Sequence, residues 1–247
     1  VPEAEPRKKK GYLMENIYTI PVNEAFEDSV GESPRCPFCL MRERLEANEI
    51  DLILGASMME PDTRIKTNEM GFCTEHFDTL LNGGKALPFA LMMESHVDHI
   101  REKLKGPGLM TGSNAAADIK LLSELERSCY VCSRIDYHFT RMIDTAVHLW
   151  ESDHTFREKV SNTERFCYSH FAKFAAAAKE RMKGKDFSAF YKVIYGILDS
   201  YTESLSEDVS FFCKKFDYRY AEEPWGNAKD APERAAKLFC GDKAKSK

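Results

Sequence analysis

At 247 residues, 43% of them hydrophobic and 30% charged, the chain has the make-up of an ordinary globular protein and enough length for one large core or two half-sized lobes. No apolar stretch approaches the roughly 20 residues a membrane span needs, and no basic, apolar and small-residue succession reads as a secretory signal. A net charge of −5 supplies no global field for nucleic acid, so the expectation is a cytoplasmic protein with neither membrane nor nucleic acid as partner.

Apolar residues recur at helical intervals throughout and sustained two-residue alternation is nearly absent, so the predicted fold class is all-α. The chain opens on Val1, but Met14, just ahead of Glu15-Asn16-Ile17-Tyr18, reads as the native start. Residues 1–13, with the basic run Arg7-Lys8-Lys9-Lys10, then read as a disordered extension. A short helix is predicted over 21–28 and a longer one over 40–58, where Met41, Leu45, Leu52 and Ile53 recur at helical spacing. Glu60-Pro61-Asp62 interrupts it, because proline restricts its predecessor and cannot continue a helix. A helix over 74–81 stops at Asn82-Gly83-Gly84, and another over 87–104 ends at Gly106-Pro107-Gly108.

Residues 106–114, rich in Gly, Pro, Ser and Asn, are the predicted linker. Beyond it the order repeats: a helix over 115–127 with Asn114 as N-cap, one over 133–150, a loop at Ser161-Asn162-Thr163, and helices over 168–182 and 186–212. The organisation is thus two pseudo-repeated lobes, 14–105 and 115–220, followed by a tail over 221–247 whose Lys-rich end reads as solvated. Phe139, Phe156, Phe166, Phe171, Phe174, Phe187 and Phe190 fall at helical spacing and read as core.

One ligand pattern is written twice. Cys36-Pro37-Phe38-Cys39 is answered by Cys73-Thr74-Glu75-His76, and Cys129-Tyr130-Val131-Cys132 by Cys167-Tyr168-Ser169-His170. The halves are separated by 33 residues in the first copy and 34 in the second. Thiolate and neutral imidazole are the ligands zinc prefers, in a closed tetrahedron when the site is structural. Each knuckle is expected to open a helix, whose positive end offsets the charge of three thiolates. Closing a loop of this length costs roughly 3 kcal/mol, against about 10–16 kcal/mol from structural zinc. The prediction is two zinc ions per chain, one in each lobe: Cys36, Cys39, Cys73 and His76 hold the first, and Cys129, Cys132, Cys167 and His170 the second.

Alternatives stand beside this. The same donors could hold an iron–sulfur cluster. Cys-Pro-Phe-Cys ahead of a helix also resembles a glutaredoxin-type dithiol, although no βαβ pattern surrounds it and the second copy lacks the proline. Disulfides do not suit a cytoplasmic chain. Cys213, in Phe211-Phe212-Cys213, reads as a buried small hydrophobe and Cys240 as a free thiol. Glu94, His96, Asp98 and His99 lie close on one helix and could form an acid–base or second metal site, but an exposed polar face explains them as well; Asp144 and His148 read as a surface pair. No phosphate loop, GxSxG or HExxH is present.

The run Ile17-Tyr18-Thr19-Ile20-Pro21-Val22-Asn23-Glu24-Ala25-Phe26, then Cys-x-x-Cys, Met59-Glu60-Pro61-Asp62 and Gly71-Phe72-Cys73-Thr74-Glu75-His76-Phe77 resembles an uncharacterised bacterial family. Phe156-Arg157-Glu158-Lys159-Val160 and Phe166-Cys167-Tyr168-Ser169-His170-Phe171 complete the likeness, which spans residues 15–220. That family is a domain of unknown function found largely in anaerobic Gram-positive lineages. The resemblance implies a bacterial cytoplasmic protein and no activity. The expected role is binding, to a protein or small ligand in a groove between the lobes. The rivals are a redox protein carrying clusters or reactive dithiols, and an enzyme centred on Glu94, His96 and His99.

Overall fold

Helix is the only regular structure among the residues that the computed structural model describes, 8–107 and 114–242, with side chains from residue 17 onward. The helices are α1 (Lys8–Glu27), α2 (Pro37–Ile53), α3 (Pro61–Met70), α4 (Thr74–Asn82), α5 (Ala86–Lys103), α6 (Ala115–Glu126), α7 (Tyr130–Ser152), α8 (His154–Ser161), α9 (Tyr168–Arg181), α10 (Lys185–Lys214) and α11 (Ala231–Cys240). Short 3-10 turns occur at Ala56–Met59, Tyr218–Tyr220 and Gly226–Asp230.

Several of these differ from the sequence reading for identifiable reasons. Helix α1 begins at Lys8 and carries Pro21 inside it, so residues 8–13 of the expected extension are helical; residues 1–7 lie outside the described residues. Pro61 opens α3 as its first residue, where its missing N–H costs nothing. Helix α8 starts at Asp153, whose side chain accepts from the Thr155 N–H at 2.9 Å. Asn114 does precede α6, but its side chain makes no capping bond. The stretch read as a C-terminal tail instead forms a 3-10 turn, Gly226–Asp230, and α11, which packs on α9 and α10 through Ala231 and Leu238. Residues 243–247 lie outside the described residues.

The chain divides into two compact units, and neither is a half of the sequence. Unit 1 is residues 1–43 with 139–247, and unit 2 is 44–138. The predicted linker falls inside unit 2, with 108–113 outside the described residues. Helices α2 and α7 each contribute residues to both units.

Unit 1 is built on a phenylalanine core. Phe26, Phe38, Phe156, Phe166, Phe174 and Phe190 are fully buried, with ring centroids 4.9 Å apart for Phe26–Phe156, 4.8 Å for Phe38–Phe174 and 4.9 Å for Phe174–Phe190. Contacts at this spacing add about 0.5–1.5 kcal/mol each to the area they bury. Of the seven phenylalanines read as core, Phe171 and Phe187 are only half-buried. Unit 2 packs Ile53, Leu54, Phe72, Leu80, Met92, Val131 and Ile135. Its α3–α4 corner turns at Gly71, whose φ of +57° and ψ of −154° suit glycine alone. A Cβ there would lie 3.1 Å from both His96 Nε2 and Leu125 Cδ1.

Candidate metal centres

All four knuckles open helices, as their sequences require. Cys36 immediately precedes α2 and Cys39 sits in its first turn, with the Cys39 and Leu40 N–H groups donating to Cys36 O at 2.9 and 3.2 Å. Cys73 is the N-cap of α4 and Cys167 that of α9, which places His76 and His170 in first helical turns. Cys129 precedes α7 and Cys132 lies in its first turn. Each donor group therefore sits at a positive helix end.

The structure gathers the eight residues into two sets of four, but not the expected ones. Cys36, Cys39, Cys167 and His170 form one set, and Cys73, His76, Cys129 and Cys132 the other. Each CxxC meets the CxxH of the opposite half of the chain, so the pairing of Cys36 and Cys39 with Cys73 and His76, and of Cys129 and Cys132 with Cys167 and His170, is corrected.

Loop entropy could not decide between the two pairings. Cys39 and Cys167 are 128 residues apart in the chain and His76 and Cys129 53, which raises the closure cost over the shorter loops by only about 1–2 kcal/mol in total. Local pairing of the knuckles decides it. In unit 2 the Tyr130 N–H donates to Gly71 O at 3.0 Å and the Ser128 hydroxyl to Met70 O at 2.6 Å, laying the GFC turn against the turn before α7. In unit 1 the Arg165 Nε–H donates to Pro34 O at 2.8 Å and the Phe38 ring packs on Phe166 and Phe174.

Distances within each set match a single ion. His170 Nδ1 lies 3.7, 3.3 and 3.2 Å from the sulfurs of Cys36, Cys39 and Cys167, and Cys39 and Cys167 Sγ are 3.8 Å apart. His76 Nδ1 lies 3.1, 3.3 and 3.4 Å from those of Cys73, Cys129 and Cys132, with Cys73 and Cys132 Sγ 3.9 Å apart. A tetrahedron with metal–sulfur bonds of about 2.3 Å and metal–nitrogen bonds of about 2.0–2.1 Å has S–S edges near ~3.8 Å and S–N edges near ~3.6 Å. Both sets fit.

The surroundings of the two sets differ. At the unit 1 set all four ligands are buried, and Asp242, just beyond α11, closes over them. Its N–H donates to Cys39 Sγ at 3.4 Å, while its carboxylate accepts from the Cys36 N–H at 3.2 Å and pairs with the buried Arg165. Gly241 makes this approach possible: its φ is +79°, and a Cβ would stand 3.2 Å from Cys39 Sγ. At the unit 2 set Cys73 and Cys132 are part-exposed, and Glu46 Oε1 stands 3.3 Å behind His76 Nε2. A carboxylate this close to Nε2 favours a proton there by its charge, which leaves Nδ1 the free nitrogen of the ring.

Without a cation these donors cannot all ionise. Burial pushes the Cys36 thiol up to about 12. Cys39 is driven higher still by its bonds to Cys167 and Cys36, whereas bonds from Cys36, Cys39 and His170, against its burial, hold the Cys167 thiol well below the usual range. In unit 2, burial resists ionisation of Cys129 but the His76 hydrogen bond lowers it to about 6; His76 itself is raised to about 10 by Cys129 and Glu46 against its burial, and Cys132 is pushed up by burial and then by Cys129. A divalent ion supplies the charge that lets three thiolates coexist.

Residues 13–246 match the family described as "Family of unknown function (DUF6062)". The chain belongs to that family. No curated protein and no solved structure matches it. The DUF6062 match runs from α1 through α11, so the C-terminal helix and Asp242 are part of the family's unit.

The remaining candidates take simpler roles. His96 is buried and its Nδ1–H donates to Asn68 O at 3.0 Å; burial lowers its pKa, which keeps it neutral beneath Gly71. Glu94 on the same helix is exposed. His148 Nδ1 faces Arg181 Nη2 at 2.7 Å. Cys213 is exposed, not buried as its Phe-Phe-Cys context suggested, and Cys240 is exposed too. Arg165, Asp242 and Glu46 were missed by sequence reasoning, since no motif marks a residue that acts on a ligand rather than as one.

Proposed function

We propose that this DUF6062 chain is a zinc protein with two closed structural sites, whose working role is recognition of another molecule and not chemistry at the metal. The observation that carries the reading is the size of each donor set, with all four ligand atoms within 4.8 Å of one another. Three sulfurs and one imidazole nitrogen at that separation suit zinc. Four protein donors leave no open position for the water that a catalytic zinc activates. Thiolates bound to different irons of a cluster are spread further apart by the iron–iron spacing, so this geometry disfavours an iron–sulfur centre.

Elemental analysis of protein purified with and without air tests the reading. Two zinc ions per chain, no colour and an X-ray absorption shell of three sulfurs and one nitrogen are expected. Brown protein with iron and acid-labile sulfide would sink it.

A further inference from the structure

Beside the unit 1 metal set lies a cavity of about 530 Å³ whose lining includes Arg35, Arg165, Tyr201, Arg234, Lys237 and Asp242. This volume is in the range of small-molecule sites. Its basic groups are largely engaged. Arg35 pairs with Glu43 and Asp242, Arg234 with Asp208 and Asp230, and Lys237 with Glu233. The cavity is therefore no general trap for anions.

Two groups in its wall are different. Arg165 is 3% exposed; its Nε–H donates to Pro34 O and its Nη2 to Asp242, but among the described residues nothing accepts from Nη1. Tyr201 Oη is likewise buried with no partner among the described residues. The guanidinium carbon stands 5.7 Å from the Tyr201 ring centroid, so the two residues are neighbours in the cavity wall. The Tyr201 ring itself is anchored in the Leu205, Ala231 and Leu238 cluster between α10 and α11. A buried donor without an acceptor costs about 1–3 kcal/mol, and more when charged. Two on neighbouring residues of one cavity wall ask for an acceptor from outside the chain.

We propose that this cavity binds a small polar molecule through a carboxylate or phosphate oxygen, which accepts from Arg165 Nη1 and Tyr201 Oη together. The guanidinium supplies charge and a fixed donor fork, and the phenol a second donor at an angle to it. Because the other basic groups are already paired, recognition is short-range and affinity changes little with ionic strength. Asp242 and Arg165 also brace the metal set, so a ligand here rests on the part of the fold that the metal orders. The proposal deepens the reading of the chain as a binding protein, and it holds whichever metal fills the sites.

The test is calorimetric titration of the full-length, metal-loaded protein with inorganic phosphate and, separately, with succinate. One of the two should bind with one site per chain, phosphate uptake marking a phosphate-bearing ligand and succinate uptake a carboxylate. Tyr201→Phe removes the hydroxyl while keeping the anchored ring, and should weaken binding by about tenfold or more. Tyr195→Phe, on an exposed part of α10, should bind as the parent does. Binding of neither probe, or equal binding by Tyr201→Phe and the parent, overturns the proposal. Metal content measured on the same samples separates the two readings: two zinc ions with no uptake refutes the cavity alone, whereas a different metal content refutes the zinc assignment.

Discussion

Double substitutions can decide the crossed ligand sets, because the two pairings predict opposite metal contents. Cys36 and Cys167 both lie within 3.7 Å of His170 Nδ1, so in the crossed arrangement Cys36→Ser and Cys167→Ser damage one site. That double variant should keep one metal per chain. Cys36→Ser with Cys73→Ser damages both sites and should keep none. The in-lobe pairing reverses these results. Stability follows the same logic: a structural zinc site is worth about 10–16 kcal/mol, and once one ligand is gone a second loss from the same site removes little more. The within-site pair should therefore cost little more than either single substitution, and the cross-site pair the sum of its two singles to within about 0.5 kcal/mol. Metal per chain by elemental analysis and unfolding free energy by denaturant titration give independent readouts. Two empty sites in the Cys36/Cys167 variant, with one filled in the Cys36/Cys73 variant, would refute the crossed arrangement.

Three further outcomes follow from the geometry. Asp242→Ala leaves the buried Arg165 charge without its carboxylate, both side chains being 5% exposed or less, and should cost about 3–5 kcal/mol and speed metal loss to a chelator from one site only; unchanged release would mean that Asp242 does not brace the unit 1 set. Gly71→Ala should destabilise unit 2 by about 1–3 kcal/mol from its backbone conformation, with the approach to His96 and Leu125 adding to it, as read in a thermal melt. In metal-stripped protein the Cys129 thiolate contributes stability that is lost as pH falls through about 6, and the His76 imidazolium contributes stability lost as pH rises through about 10. Unit 2 should then be most stable between those limits, and His76→Gln should flatten the profile in hydrogen exchange.

The helices and the chemistry of the ligands were readable from sequence, and the errors share a cause. Helices α5, α9 and α10 were found to within a residue or two at most ends, because apolar residues at helical spacing and Gly stops are local signals. Helices α3 and α11 were missed because Pro61 and the Lys-rich end look like breakers and tail, although Pro suits a first helical position and Ala231 and Leu238 bury one face of α11. The eight cysteine and histidine residues singled out do gather into two sets of four, but not in the expected partition. Either pairing gives two Cys3His sets, and sequence proximity favours the one that packing rejects. What decides is the meeting of Ser128 and Tyr130 with the Gly71 turn, a long-range contact that leaves no local trace.

The crossing changes what the two candidate metal sites would do for the fold. Had each site closed a loop of 33 or 34 residues, each half of the sequence would have carried its own clamp. Instead the unit 2 set lies wholly within the continuous stretch 44–138, whereas the unit 1 set joins Cys36 and Cys39 to residues beyond 139 and is completed by Asp242 near the end of the chain. Closing the longer loop needs the chain as far as α9, while the shorter one needs only what lies between α2 and the start of α7. The expected order of closure is the unit 2 set first and the unit 1 set last.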